Sequence, residues 1–333
     1  MKGITLTMVV KFIGTPSMGE GLGANINPMK VLSTELGDFA YLSPNAVFRQ
    51  PLMEYFLKEK RWELKEGENI RIPHDKKGSD NKERAEEDKK PIQFMGYAHK
   101  DHYADIFGYL YTEGENSRKR KSPLGVSYAV SLMNFSNCLD YRTNLGLVEL
   151  SGSTDNKGQM IFQREIDLNY FVYTLTIDLE RIGKEENQKK NGKQQEAPQE
   201  DKVERTKAIL EAIPYLTIQR NGALVGTLRP HLVVGGIFEK KFPYFIDAIV
   251  WDKEKKKVKA QPINDIIKEY NLKTDKNNKT DKNNLLVFGL QEGFPLEEGL
   301  DITPILKPKE AIDKIVDSID ENKNNIWPEE KQK

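Results

Sequence analysis

The sequence is poor in the side chains that carry most enzyme chemistry. Among 333 residues there is one cysteine, Cys138, and four histidines. A lone cysteine excludes an internal disulfide framework and a multi-cysteine zinc site, and it fits a reducing compartment. Net charge is also missing, since 51 Lys and Arg face 51 Asp and Glu. A strongly basic protein is therefore excluded, and any site for a polyanion must come from local clustering of charge. No apolar run approaches the roughly 18 residues of a membrane span. The opening MKGITLTMVVKFIG is broken by Thr5, Thr7 and Lys11, so it reads as a strand and not as a signal peptide. A soluble, cytoplasmic protein with no membrane partner is the expectation.

What remains is a polar chain with a core. Hydrophobic residues make up 38% and the mean hydropathy is -0.64, which leaves room for long solvated segments. Residues 3–13 alternate, with Ile4, Leu6, Met8, Val10 and Phe12 on one side, as in a strand with one face on a core. Ser43 is placed to cap a helix with Pro44 at its first position. Pro51 predicts a kink there, or a second helix starting at that residue. Leu124 to Leu132 alternates bulky residues with Gly125, Ser127, Ala129 and Ser131, as one strand with a face of small residues. Residues 164–181 form a long strand whose apolar pattern changes phase after Tyr170, which suggests a bulge. A helix is expected from about Lys202, a strand over Tyr244–Trp251, and a short amphipathic helix around Ile312 to Ile319.

Polar insertions interrupt this order. The charged 61–91 tract is an insertion, 136–163 a projecting hairpin, and 183–201 and 273–284 disordered loops. The core is then 1–60, 92–135 and 164–333. Strand, helix, strands, helix, strand implies an α+β fold with an antiparallel sheet of ferredoxin-like, RNA-recognition type.

Few motifs suggest catalysis. GEGLG after the first strand has Ala24 where a dinucleotide fingerprint needs its third glycine, and no Walker lysine follows. His99, His102 and Asp105 could bind a metal only if further ligands joined them. They define one alternative, a metal-dependent ribonuclease of the same fold. A nucleic-acid-free protein scaffold is the other. No cofactor and no metal are expected. The strongest feature is SRKRKSPLG, where Arg118, Lys119, Arg120 and Lys121 run without an acid and Pro123 fixes them against a strand. Ser43, Asn45, Arg49, Asn221, Gly222 and Arg229 lie at loop ends that such a sheet would bring together. Cations and pliant glycine loops of this kind can track a phosphodiester backbone without reading bases.

Several segments in order carry a resemblance: KGITLTMVVKF, YLSPNAVFRQ, YADIFGYL, KRKSPLGVSYAVSL, REIDLNYFVYTLTIDL and NGALVGTLRPHLVV. Over residues 2–250 the chain resembles the repeated backbone subunit of type I CRISPR surveillance complexes, called Cascade. That is the family numbered seven among the Cas proteins, here in its DevR-like, type I-B form. The resemblance implies a hand-shaped protein with a palm sheet, a finger-like insertion and a thumb hairpin at 136–163. Met160 and Phe162 would be the thumb's wedge. Copies would stack along a CRISPR guide RNA that pairs with target DNA. The capping, processing and large subunits of the complex would be further partners. Ser43 and Asn45 match the family's Ser-x-Gln/Asn. Phe48 stands where the family has a basic residue, with Arg49 one later. Related subunits that cut RNA use an aspartate in the loop after the first strand. Residues 14–37 contain Glu20 and Glu35 but no aspartate, so the resemblance implies a subunit with no nuclease activity.

Overall fold

The computed structural model describes residues 2–14, 26–59, 62, 97–113, 116–136, 138–143, 161–190, 193–220, 223–273 and 284–328. The 61–91 tract except Trp62, the 273–284 linker except its ends, and Met160, Asn221 and Gly222 lie outside them.

The molecule is α+β, built on a 10-stranded sheet. Its members are β1 (Gly3–Gly14), β2 (Gly37–Leu42), β3 (Leu124–Val126), β4 (Ala129–Ser131), β5 (Cys138–Thr143), β6 (Ile161–Asp178), β7 (Leu232–Phe238) and β8 (Leu285–Leu290), with the short strands Ile26–Asn27 and Val31–Thr34. The path runs β8, β7, β1, β6, β4, β2, Val31–Thr34, and β3 and β5 also pair with β6. Every pairing is antiparallel except that of Ile26–Asn27 with Gln163–Arg164. The described residues also form helices α1 (Gln50–Lys58), α2 (His102–Phe107), α3 (Gln199–Ala212), α4 (Gln261–Glu269) and α5 (Pro308–Ile326), together with four two-stranded sheets.

Alternation in β1 decides the layers. Ile4, Leu6, Met8, Val10 and Phe12 are 0–3% exposed and join one core with Phe171, Tyr173, Leu175 and Ile177 of β6, with α1 through Leu52 and Phe56, with α3 through Ile209 and Leu210, and with α5 through Ile312 and Ile315. A second core lies on the other face, where Val9, Leu232, Val234 and Phe288 meet residues 238–302. α1 lies between β1 and the β3–β4 segment, and α3 lies between β6 and β7. Each helix thus joins two strands that a third separates in the sheet.

Several local expectations change. No bulge breaks β6 where its apolar pattern shifts, because the register runs unbroken from Gly3↔Asp178 to Gly14↔Asp167. Instead, Asp167 and Asn169 take inward positions and are satisfied there. Asn169 Nδ2 donates to Met133 O at 3.0 Å and to Asp167 Oδ2 at 2.9 Å, while its Oδ1 accepts from Met133 N–H at 3.1 Å. The 124–132 strand is two short strands, since Ser127 turns aside to exchange bonds with Thr174. Ala129 and Ser131 therefore face inward and Tyr128 is 58% exposed.

Composition also misleads at 183–201. That tract forms a hairpin, Lys184–Lys190 with Lys193–Glu196, because polar anchors replace apolar burial. Glu185 Oε2 accepts from Ala98 N–H at 2.8 Å, and Ala197 N–H donates to Gly183 O at 2.8 Å. Residues 244–248 turn where a strand was expected, because Phe245, Ala248 and Ile249 all bury into the second core. α5 has 19 residues and exceeds the short helix read from its apolar spacing. At Pro51 the expected second helix is found to within a residue, since α1 starts at Gln50. A π-helical turn over Asn45–Arg49 runs into α1 with Pro51 in its first turn, where its missing N–H costs little. No helix among the described residues is long and apolar enough to cross a membrane.

Gly235 and Gly236 let β7 lie between its neighbours. A Cβ on Gly236 (φ 157°) would stand 1.7 Å from Leu285 O, and one on Gly235 (φ 147°) would stand 2.0 Å from Thr5 O. Gly236→Ala is expected to lower the unfolding free energy by about 3 kcal/mol in urea titration, and an unchanged midpoint would contradict this packing.

Candidate nucleic-acid interface

The basic run is placed by a buried carboxylate. Asp105 of α2 is 0% exposed, with Arg120 on one carboxylate oxygen. Arg205 of α3 is on the other at 2.8 Å, and Gly183 N–H donates to that same oxygen at 2.7 Å. Arg120 also donates to Lys184 O at 2.6 Å and to Arg181 O at 2.9 Å. Arg205 reaches Ala98 O at 2.6 Å, and the fully buried Glu185 takes the Ala98 N–H. Asp105 thus pairs with both guanidiniums, and a buried charge requires such a partner. Burial pushes the Asp105 pKa up, against the pull of Arg205 and Arg120.

Arg120 is therefore not a surface cation. It is 3% exposed, and this corrects its assignment to an RNA-facing set. Its neighbours behave differently. Residues 116–120 form a strand paired with Tyr109–Glu113, so side chains alternate, and Lys119 and Lys121 are exposed on either side of buried Arg120. Arg181, which sequence reasoning missed, clamps the run's backbone by donating to Lys121 O at 2.7 Å and Ser122 O at 3.3 Å. Ser122 Oγ donates to Ile106 O at 2.6 Å. The run is a braced strand, with Arg118 in the same ladder opposite Tyr111.

The helix start reaches the same place. Ser43 Oγ accepts from Ala46 N–H at 3.4 Å, the bond an N-cap makes. Asn45 is exposed and Phe48 is wholly buried, its ring 6.3 Å from Tyr173. A cation would be unsolvated at Phe48, and Arg49 is the one that emerges. Its Nη2 donates to Leu124 O at 2.9 Å, three residues beyond Lys121. Burial lowers the Arg49 pKa. Ser43, Asn45, Arg49, Lys119 and Lys121 thus belong to one continuous part of the molecule.

Beside α1 is a cleft of about 670 Å³ lined by Pro51, Glu54, Tyr55, Lys58, Glu59, Tyr215, Thr217 and Gln219. Tyr55 and Tyr215 lie 6.5 Å apart with nearly parallel rings. The far wall begins the strand pair Thr217–Arg220 with Ala223–Thr227, and Asn221 and Gly222 lie outside the described residues. Arg229 is exposed just beyond this strand pair. Cys138 to Thr143 pairs with Ile161 to Ile166, and Phe162 stands opposite Arg142 in that ladder.

The rival metal site is not assembled. Both Asp105 oxygens are taken by arginines, and His102 stacks on Trp62 at 4.7 Å. Among the described residues no group of three or more His, Cys, Asp or Glu could hold a metal ion.

Fold and site together define an α+β protein with a large antiparallel sheet, bearing a braced basic strand and a capped helix start side by side. Residues 36–260 match the family model described as CRISPR-associated negative auto-regulator DevR/Csa2, and the chain belongs to that family. No curated protein matches. One solved structure described as a CRISPR RNA-guided surveillance complex aligns over 95% of this chain and 99% of its own, at 10% identity and a TM-score of 0.49. A second, described as pre-nicking, aligns over the same shares at 12% identity and a TM-score of 0.49. Likenesses this distant support nothing further.

Asp105→Asn removes the one anion shared by both guanidiniums. It is expected to cost roughly 3–5 kcal/mol of stability by denaturant titration. A loss under about 1 kcal/mol, the scale of an exposed pair, would contradict the role given to Asp105.

Proposed function

We propose that this protein is a non-catalytic subunit that binds a CRISPR guide RNA and oligomerises along it, forming the backbone of a type I, Cascade-type surveillance complex. Family membership supports the CRISPR setting. The observation that carries the RNA reading is the Arg49–Leu124 bond, which sets the Ser43–Arg49 helix start beside the Lys119–Lys121 strand. The paired strand–helix–strand units support reading the sheet as an RNA-recognition-type palm. The β5–β6 hairpin is the proposed thumb, with Met160 and Phe162 toward its tip, and 61–91 is the proposed finger. In this reading Asn221, Gly222 and Arg229 follow the guide backbone, and target DNA pairs with bases that the protein leaves exposed. Further copies and the capping, processing and large subunits would complete the assembly.

Such contacts are electrostatic and indifferent to sequence, so affinity should fall steeply with salt. The test is a triple variant, Arg118→Ala, Lys119→Ala and Lys121→Ala, that leaves Arg120 in its buried pair. Fluorescence anisotropy should show weaker binding to unrelated single-stranded RNAs alike, and a salt slope shallower by about 2–3. Unchanged affinity and slope would refute the assignment. Divalent-dependent cleavage of RNA by the wild-type protein would instead favour the ribonuclease.

A further inference from the structure

Among the described residues, the face of the sheet opposite α1, α3 and α5 is only partly covered. The second core covers it over β7 and β8 and reaches Val9, Leu132, Tyr170 and Val172, with Phe294 standing edge-on to the Tyr170 ring at 5.2 Å. Toward β2 the outward positions follow from the inward ones. Val10, Phe12, Ala40, Leu42, Ala129 and Phe171 all belong to the helical-side core, so Lys11, Tyr41, Val130 and Tyr170 point the other way. The register sets them side by side, with Tyr41 opposite Val130, Val130 opposite Val172, and Tyr170 opposite Lys11.

This surface is aromatic and cationic. Tyr128 is 58% exposed and meets Tyr41 edge-on at 5.8 Å. Ile13 and Leu168, directly paired, are 51% and 54% exposed. The Lys11 ammonium lies 5.1 Å from the centre of the Tyr170 ring. His231 stands edge-on to Tyr170 at 5.8 Å, and its N–H bond to Val9 O at 2.7 Å fixes it there. The two charges that act on His231 are both positive, Arg229 and Lys11, and with burial they lower its pKa.

We propose that this open face is a stacking platform for unpaired bases of a single-stranded RNA. Tyr41 and Tyr128 meet the bases, and Lys11, held over the Tyr170 ring, and Arg229 meet the phosphates. From Tyr41 to Lys11 is three strand spacings, roughly 14 Å, enough for about two or three bases on such a sheet. Exposed tyrosine beside lysine and arginine complements a nucleic acid strand. The proposal rests on the RNA-binding reading above and adds to it a contact with bases.

The test separates bases from backbone. Wild type, Tyr128→Ala, Tyr41→Leu and the triple basic variant are titrated with an oligouridylate and with an abasic ribose-phosphate strand of equal length. Far-ultraviolet spectra and Tm check each fold. The two tyrosine variants should lose about tenfold in affinity for oligouridylate and nothing for the abasic strand, while the basic variant loses both alike. Equal losses on both strands, or none on either, would overturn the platform while leaving the backbone reading intact. A changed oligomeric state with unchanged RNA affinity would make the face a contact between copies and overturn it too. A wild type that binds neither strand would sink both readings.

Discussion

One buried carboxylate organises the part of this protein where its function is proposed. Asp105 holds Arg120 and Arg205 at once, and so it ties α2 to the 116–120 strand, to the turn that leaves β6, and to α3. A guanidinium brought out of water is costly unless it is paired and fully bonded. Arg120 has a carboxylate and three carbonyls. Inserting this one cation fixes the phase of its strand, and strand geometry then turns Lys119 and Lys121 outward. The densest positive run in a neutral chain is thus an anchor flanked by two presented charges.

The rest of the proposed interface hangs on that anchor. Arg181 and Ser122 brace the backbone after the run, and Arg49 bonds to Leu124 just beyond. The cap at Ser43 starts the helix, and Phe48 buries so that Arg49 must emerge. Arg49, Arg181 and Ser122 are held by backbone carbonyls, so the backbone that presents the lysines is in place before any ligand arrives. Pre-placement of this kind lowers the ordering cost of binding.

Much of the fold was legible because its signals are periodic. β1, β6, α3 and α5 announce themselves by alternation or helical spacing, and the order of elements gave the α+β class. The misses share one cause, which is that polar side chains did the work of apolar ones. Asp167 and Asn169 satisfy each other and Met133 on the core side of β6, so an apolar phase change did not mean a bulge. Glu185 and Gly183 anchor a hairpin whose composition resembles a disordered loop. Arg120 cannot be told from its neighbours in sequence, because nothing local says that Asp105, fifteen residues earlier, will pair with it. Lys11 did carry a signal, as a lone cation in the outward register of an otherwise buried strand. Its partner Tyr170 was legible only once the register was known.

The central claim is that an RNA strand lies along the helix start and the braced basic strand. Ultraviolet crosslinking of the protein to bound single-stranded RNA, followed by peptide mapping, tests it most directly. Crosslinked peptides should come from residues 41–50 and 117–128. Crosslinks confined to the outer face of α5, with none in those two segments, would contradict the account.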